Sequence, residues 1–192
     1  MIQRVLEITH HRKRGGVVIA PWTLIAMGVV HFSFYVGGLA ELLFLNRLIH
    51  GTVVIAGILI FLAGFLLRKW VIHSLGELWS VHIEIRAEHP LVTTGPYAFC
   101  RHPNYLAILL ELMGYCLTAN AYFTLIVSLL AYSPVLFLRI RLEESEMIRK
   151  FGNSYLLYRK KTPALVPFVG RRKTVPPGHT SPVFLNDNTQ TG

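Results

Sequence analysis

Apolar residues in this chain are gathered into unbroken runs and are not spread at the 3.6-residue spacing of a surface helix or the alternation of a surface strand. Residues 17–40 carry no formal charge, and a second run covers residues 48–67. About 20 helical residues cross a ~30 Å hydrocarbon core, so the pattern predicts membrane helices over 17–39 and 48–67. A third apolar region lies between Arg101 and Arg139, where Asn120 divides it into 105–119 and 121–138. Two short helices in a tight hairpin are expected there, each too short for a comfortable span unless it extends into the interfaces, thins the bilayer or stops part-way. Pro134 removes a backbone hydrogen bond within the second arm and predicts a kink. Residues 139–161 read as a helix leaving the membrane, broken near Gly152. The expected fold is all-α, a polytopic membrane protein of about four transmembrane helices: two long spans plus a short helical hairpin, with a connecting segment and a C-terminal helix outside the bilayer. Residues 1–169 are expected to form one membrane-embedded domain. Residues 170–192, with Pro176, Pro177 and a polar Asn/Thr/Gly end, read as a disordered tail.

Composition agrees with this picture. Of 192 residues, 53% are hydrophobic and 15% charged, well below the roughly 25% charge of a soluble domain. The net charge of +9 does not argue for nucleic acid, because the basic residues are sorted by topology and no basic face is interleaved with aromatic base-stackers. In a four-span arrangement 18 of the 19 Lys and Arg residues fall on one side and only Arg47 on the other. The positive-inside rule makes that side cytoplasmic and, with it, both termini and the 68–103 connection. The basic cluster at residues 10–14 resembles the start of a signal peptide, but the apolar stretch after it is longer than a signal core and has no clear cleavage site, so it is expected to remain as a helix. Cys100 and Cys116 lack disulfide or metal-ligand spacing and are read as free thiols. His73, His82, His89 and His102 form no tight pair such as His-x-x-x-His, so no metal is expected.

Two segments carry candidate chemistry. In the first, Gly95-Pro96-Tyr97 precedes Arg101-His102-Pro103-Asn104-Tyr105. Gly-Pro sets a turn and Pro103 suits the first turn of a helix, placing Arg101 and His102 where the third helix begins. Free backbone N–H groups beside a cation and an imidazole would favour an anionic group. The second is Arg139-Ile-Arg-Leu-Glu143-Glu144, followed by Phe151-Gly-Asn-Ser-Tyr155 and Tyr158. Adjacent carboxylates there could accept hydrogen bonds from a ribose, an amino group or Arg101. Glu146 reads as part of a solvated face paired with neighbouring arginines. Glu111 lies inside the third helix, where an ionisable group is costly and marks a functional or paired position; it could face substrate, be a neutral structural carboxyl, or pair with His31.

Gly-Pro-Tyr-x-x-x-Arg-His-Pro-x-Tyr, then Arg-x-x-x-Glu-Glu, then Phe-Gly-x-x-Tyr-x-x-Tyr, resembles the isoprenylcysteine carboxyl methyltransferase and phospholipid methyltransferase superfamily over residues 70–167. The resemblance implies an integral-membrane enzyme using S-adenosylmethionine as methyl donor. Matching motifs imply His102, Pro103, Tyr105, Glu143 and Glu144 as its binding residues, with Tyr97 and Arg101 close by; Arg101, and Glu111 as a substrate-facing residue, are the candidate catalytic pair. The variant running from Arg101 to Glu111 is similar to small bacterial members that O-methylate alkylpyrones and alkylresorcinols, although Leu106-Ala107 departs from the Val/Leu-Gly of many relatives. The implied partners are the membrane and a lipophilic small-molecule or lipid acceptor, methylated on a carboxyl or phenolic oxygen. A long-chain acceptor would slide in laterally past Glu111 and Pro134, with Ala107 and Leu110 at lipid level. Two other classes stand beside this expectation: an NADPH-dependent sterol reductase, whose C-terminal part contains a similar Arg-His-Pro-Asn-Tyr segment, and a non-catalytic scaffold or transporter subunit whose interfacial charges are anchors.

Overall fold

A computed structural model describes residues 17–45, 49–79, 83–85 and 90–166. Among them five α-helices follow in order: α1 (Trp22–Phe44), α2 (Gly51–Leu75), α3 (Pro103–Thr118), α4 (Tyr122–Phe151) and α5 (Asn153–Lys161). α1, α2 and α4 are long and apolar enough to cross a membrane. α3 has 16 residues and rises about 24 Å, short of a ~30 Å core. Three helices therefore reach spanning length where about four spans were expected, and α3 is the arm that stops short.

One local outcome differs from expectation. The first helix starts at Trp22, not residue 17. Pro21, whose missing N–H costs nothing at a helix start, holds the N-cap after Ala20 turns at φ +47°. Val17–Ile19 instead forms strand β1, antiparallel to β2 (Ile83–Ile85), with Val18 opposite Glu84, tying the chain before α1 to the α2–α3 connection. The expected continuation of the fourth apolar segment past residue 138 is present. α4 continues for 30 residues, about 45 Å, before Gly152 ends it at φ +51°. Pro134 lies inside α4. Its ring is on the exposed side, where neighbouring Ser133 donates its hydroxyl to the Leu129 carbonyl at 2.7 Å. The expected tail falls outside the described residues.

The expected hairpin is present. α3 ends at Thr118, Asn120 takes the left-handed conformation at φ +52°, and α4 begins at Tyr122; Asn tolerates that region better than most residues. The Asn120 carboxamide oxygen accepts the His50 backbone N–H and the Tyr122 hydroxyl, both at 3.1 Å. Glu41 of α1, also buried at this end, caps α4 by accepting the N–H groups of Phe123 (3.1 Å) and Thr124 (2.7 Å).

α2 packs on α3, and α1 on α4. The first pair is in backbone contact: a Cβ on Gly114 would stand 2.4 Å from the Phe61 nitrogen, and one on Gly57 2.5 Å from the Thr118 nitrogen. Lipid tails supply no hydrophobic drive for helix association, so small residues that permit such closeness are what hold these helices. Large apolar side chains such as Ile25, Phe32, Ile55 and Leu62 point outward, as lipid solvation allows. Because the helices run up and down, the start of α1, the end of α2, the start of α3 and the middle of α4 meet at one end of the bundle.

Candidate functional site

At that end, Gly95–Ala98 forms a 3-10 turn with Gly95 at φ +60°. The turn is seated on the end of α2: a Cβ on Gly95 would lie 2.9 Å from Ser74 Oγ, and Phe99 packs against Trp70 with ring centres 6.0 Å apart. This seat delivers Arg101 and His102 to the head of α3, where Pro103 opens the helix without sacrificing a hydrogen bond.

From there a continuous polar network crosses the bundle. Arg101 donates Nε (2.8 Å) and Nη2 (2.6 Å) to Glu144 Oε1, and its Nη1 reaches the carbonyls of Arg159 and Thr162. His102 Nε2 stands 3.2 Å from the same Glu144 oxygen, and its Nδ1 lies 3.6 Å from Glu143 Oε2. Tyr105 donates its hydroxyl to Glu143 at 2.9 Å and accepts Arg139 Nε at 2.9 Å. Arg139 also donates to Thr23 Oγ1 at 2.8 Å, anchoring the network on α1. Arg159 of α5 completes the surroundings of Glu144 at 3.3 Å. The His102 and Tyr105 rings stack 5.7 Å apart at 24°.

The two carboxylates differ in what remains open to them. The Glu144 side chain is 8% exposed and enclosed by three cationic groups, whereas Glu143 is 36% exposed. Glu144 therefore builds the site, and Glu143 forms its accessible edge. Burial opposes a charged His102, yet hydrogen bonds and charge from Glu143 and Glu144 outweigh it and hold the imidazole up at about 9. At neutral pH the ring is a cation and cannot act as a base. Burial raises the Tyr97, Tyr155 and Tyr158 hydroxyls well above their ordinary range, so all three stay neutral. Tyr158 donates to the Tyr97 carbonyl at 2.6 Å and meets Tyr155 edge-on at 5.9 Å. Buried Cys100 is pushed up to about 11 by desolvation, against an opposing backbone hydrogen bond at His102, which makes it a poor nucleophile.

Of the residues singled out by sequence, Arg101, His102, Tyr105, Glu143 and Glu144 lie in one network, with Pro103 as its turn and Tyr97 against Tyr158. Glu111 is not with them. It lies eight residues beyond Pro103, about 12 Å along the helix axis, buried in an ion pair with Arg68 of α2. The alternative partner His31 instead places Nδ1 2.7 Å from the Met27 carbonyl and meets Tyr132 edge-on. The expected anion site on backbone N–H groups is also changed. The N–H groups of Arg101 and His102 donate to the Pro163 and Ala164 carbonyls at 2.8 and 2.9 Å, so the segment after α5 folds back onto the turn. Ala107 and Leu110, expected at lipid level, face α2: Ala107 is fully buried, and the Leu110 Cβ would be 2.9 Å from a Cβ on Gly64. Sequence reasoning missed Thr23, Arg68 and Arg159. A threonine at a helix start looks like a cap, and an arginine at a helix end looks like an interfacial anchor.

Comparisons with known proteins point one way. The model of the isoprenylcysteine carboxyl methyltransferase family matches residues 55–149, a stretch holding both halves of the network. The chain is 36% identical to an uncharacterized protein of Haemophilus influenzae, over 67% of this chain and 74% of that one. It is 34% identical to a protein-S-isoprenylcysteine O-methyltransferase of Rattus norvegicus, over 59% of this chain and 41% of that protein. The corresponding Schizosaccharomyces pombe protein is 35% identical, over 55% and 46%. The solved structure of a eukaryotic intramembrane Ras methyltransferase, isoprenylcysteine carboxyl methyltransferase, superimposes with a TM-score of 0.60 at 25% identity, covering 82% of this chain and 56% of that one. The chain thus spans about half the length of the named methyltransferases that it matches.

Proposed function

Because the chain belongs to the isoprenylcysteine carboxyl methyltransferase family, we propose that it is an integral-membrane methyltransferase that uses S-adenosylmethionine to methylate an acidic oxygen on a lipophilic acceptor. The observation that carries this reading is the junction of the Arg101–Tyr105 turn with Glu143 and Glu144, which leaves one carboxylate accessible beside a stacked imidazole and phenol.

That donor set fits the cofactor. Glu143 can accept hydrogen bonds from ammonium or hydroxyl groups, and the partly open Tyr97 and Tyr158 rings offer aromatic surface suited to a nucleobase or a cation. When bound, S-adenosylmethionine supplies a methyl group on a sulfonium that departs as a neutral thioether. The chain's own residues position the partners and exclude water. Arg101, Arg139 and Arg159 hold the carboxylates in place, and Tyr158 pins the Tyr97 turn. With His102 protonated and the three tyrosines neutral, none of these four groups serves as a general base at neutral pH. An acceptor that arrives ionised, as a carboxylate does, suits such a site.

We place this site, and both termini, on the cytoplasmic side, supported by the 18-to-1 division of basic residues. Titration of the purified protein with S-adenosylmethionine and with NADPH tests the proposal. Saturable binding of the first alone is expected, together with label from methyl-labelled donor in an organic-extractable product. Binding of NADPH alone would make the protein a reductase, and binding of neither a scaffold.

A further inference from the structure

The Arg68–Glu111 pair stands apart from the network just described, and nothing in the cofactor's chemistry calls for it. Gly64, one turn before Arg68, backs onto α3 so closely that a Cβ would lie 2.8 Å from the Ala107 carbonyl and 2.9 Å from the Glu111 nitrogen. The pair therefore sits at the level of residues 107–111, between two apolar helices and below the His102 turn. Charge at that depth is expensive, and an ion pair buried there does little for stability that a well-packed apolar pair would not do as well. The α2–α3 contact is in any case made by backbone against glycine. The two partners also differ in access: the Arg68 side chain is 16% exposed and that of Glu111 2%.

We propose that Arg68 is the specificity-determining residue for the methyl acceptor, gripping the acidic oxygens of a lipophilic carboxylate that arrives through the bilayer, with Glu111 as the positioning residue that aims it. This deepens the proposed function and rests on it. A planar guanidinium matches a carboxylate through paired N–H groups, and with five donors it can hold a second carboxylate while Glu111 keeps its Nη2. The separation from the upper network, about 9 Å along α3 from Tyr105 to Glu111, suits two neighbouring molecules, one polar and drawn from water, the other apolar and drawn from lipid. Conversion of the carboxylate to its methyl ester removes the charge that Arg68 grips, so product is held less tightly than substrate.

The test compares two probes, N-acetyl-S-farnesylcysteine and its carboxamide, bound without methyl donor to purified wild type, Arg68→Gln, Glu111→Gln and the double variant Arg68→Leu/Glu111→Leu. Wild type should prefer the carboxylate by about tenfold or more, as a charged hydrogen-bonded contact implies. Arg68→Gln should abolish that preference and leave S-adenosylmethionine affinity within about twofold, since bidentate charge recognition is lost at a separate site. Glu111→Gln should weaken carboxylate binding but keep the preference. The double variant should remain folded, with thermal stability near wild type, and still show no preference. A double variant that binds the carboxylate as wild type does would overturn the proposal, as would parallel loss of donor affinity in Arg68→Gln. A wild-type protein that prefers the carboxylate but methylates nothing would overturn the methyltransferase reading while upholding the role of Arg68.

Discussion

Arg101 directs two guanidinium nitrogens, at 2.8 and 2.6 Å, onto a single oxygen of Glu144, 43 residues further along the chain. Both side chains are at most 9% exposed, so removing Glu144 leaves Arg101 charged and buried, whereas removing Arg101 leaves Glu144 with His102 and Arg159. Glu144→Ala should cost about 3–5 kcal/mol of stability and Arg101→Ala less, both read as a fall in thermal unfolding temperature. Loss of donor binding in these variants should accompany the loss of fold.

Glu143 should behave differently. Glu143→Gln keeps an acceptor for the Tyr105 hydroxyl, so unfolding should change little, while affinity for S-adenosylmethionine should fall by ~1–3 kcal/mol, the scale of a lost charged hydrogen bond. Glu146 provides the control. Its partner Arg149 is 72% exposed, and surface pairs contribute under about 1 kcal/mol, so Glu146→Ala should alter neither stability nor binding. Equal, negligible effects at Glu143 and Glu146 in calorimetric titration would remove Glu143 from the binding site.

His102 predicts a pH dependence with a definite sign. Its folded-state value, about 9, lies above the ordinary imidazole range near 6.5, so protonation favours the folded form. This contribution is complete below about pH 6.5 and lost as pH rises through 9, amounting to on the order of 1–3 kcal/mol. Thermal unfolding followed from pH 6 to 10 should show stability declining between about pH 6.5 and 9 in wild type and a flatter profile in His102→Asn. Parallel profiles would contradict a charged His102.

Gly114 tests the helix contact. With the Phe61 nitrogen 2.4 Å and the Gly57 carbonyl 2.7 Å from the position of an added Cβ, Gly114→Ala must push α2 from α3. Overpacking of this kind costs typically 1–3 kcal/mol. The expected result is a lowered unfolding temperature, and Gly28→Ala, where an added Cβ meets nothing within 4 Å, should leave it unchanged.

Topology can be checked by labelling. Cysteines placed at Ala98, in the exposed part of the Gly95 turn, and at His50, at the opposite end of the bundle, should react with a membrane-impermeant reagent from opposite sides: position 50 from outside, position 98 only after permeabilisation. The native thiols are buried and should contribute little background. Labelling of position 98 in intact cells would invert the orientation.

Sequence by itself determined the elements that depend on near neighbours or on solvent. Runs without charge can only be helices in a bilayer, where every backbone polar group must be satisfied internally, and this located α1, α2 and the hairpin at Asn120. Gly152, free to take positive φ, marked the end of α4. The motif segments were legible because turn-formers and polar residues at the ends of apolar runs stand out from their surroundings. What only tertiary structure decided is which charges meet. Glu143 and Glu144 are adjacent in sequence and chemically alike, yet a register of α4 against α3 set by side-chain packing encloses one among Arg101, His102 and Arg159 and leaves the other partly open. Likewise Glu111 reaches Arg68 because glycine contacts draw α2 against α3. Charge pairing decays over a few ångströms, whereas these partners are separated by some forty residues, so it is the packing of one helix on another, absent from any local pattern, that assigns each carboxylate its cation.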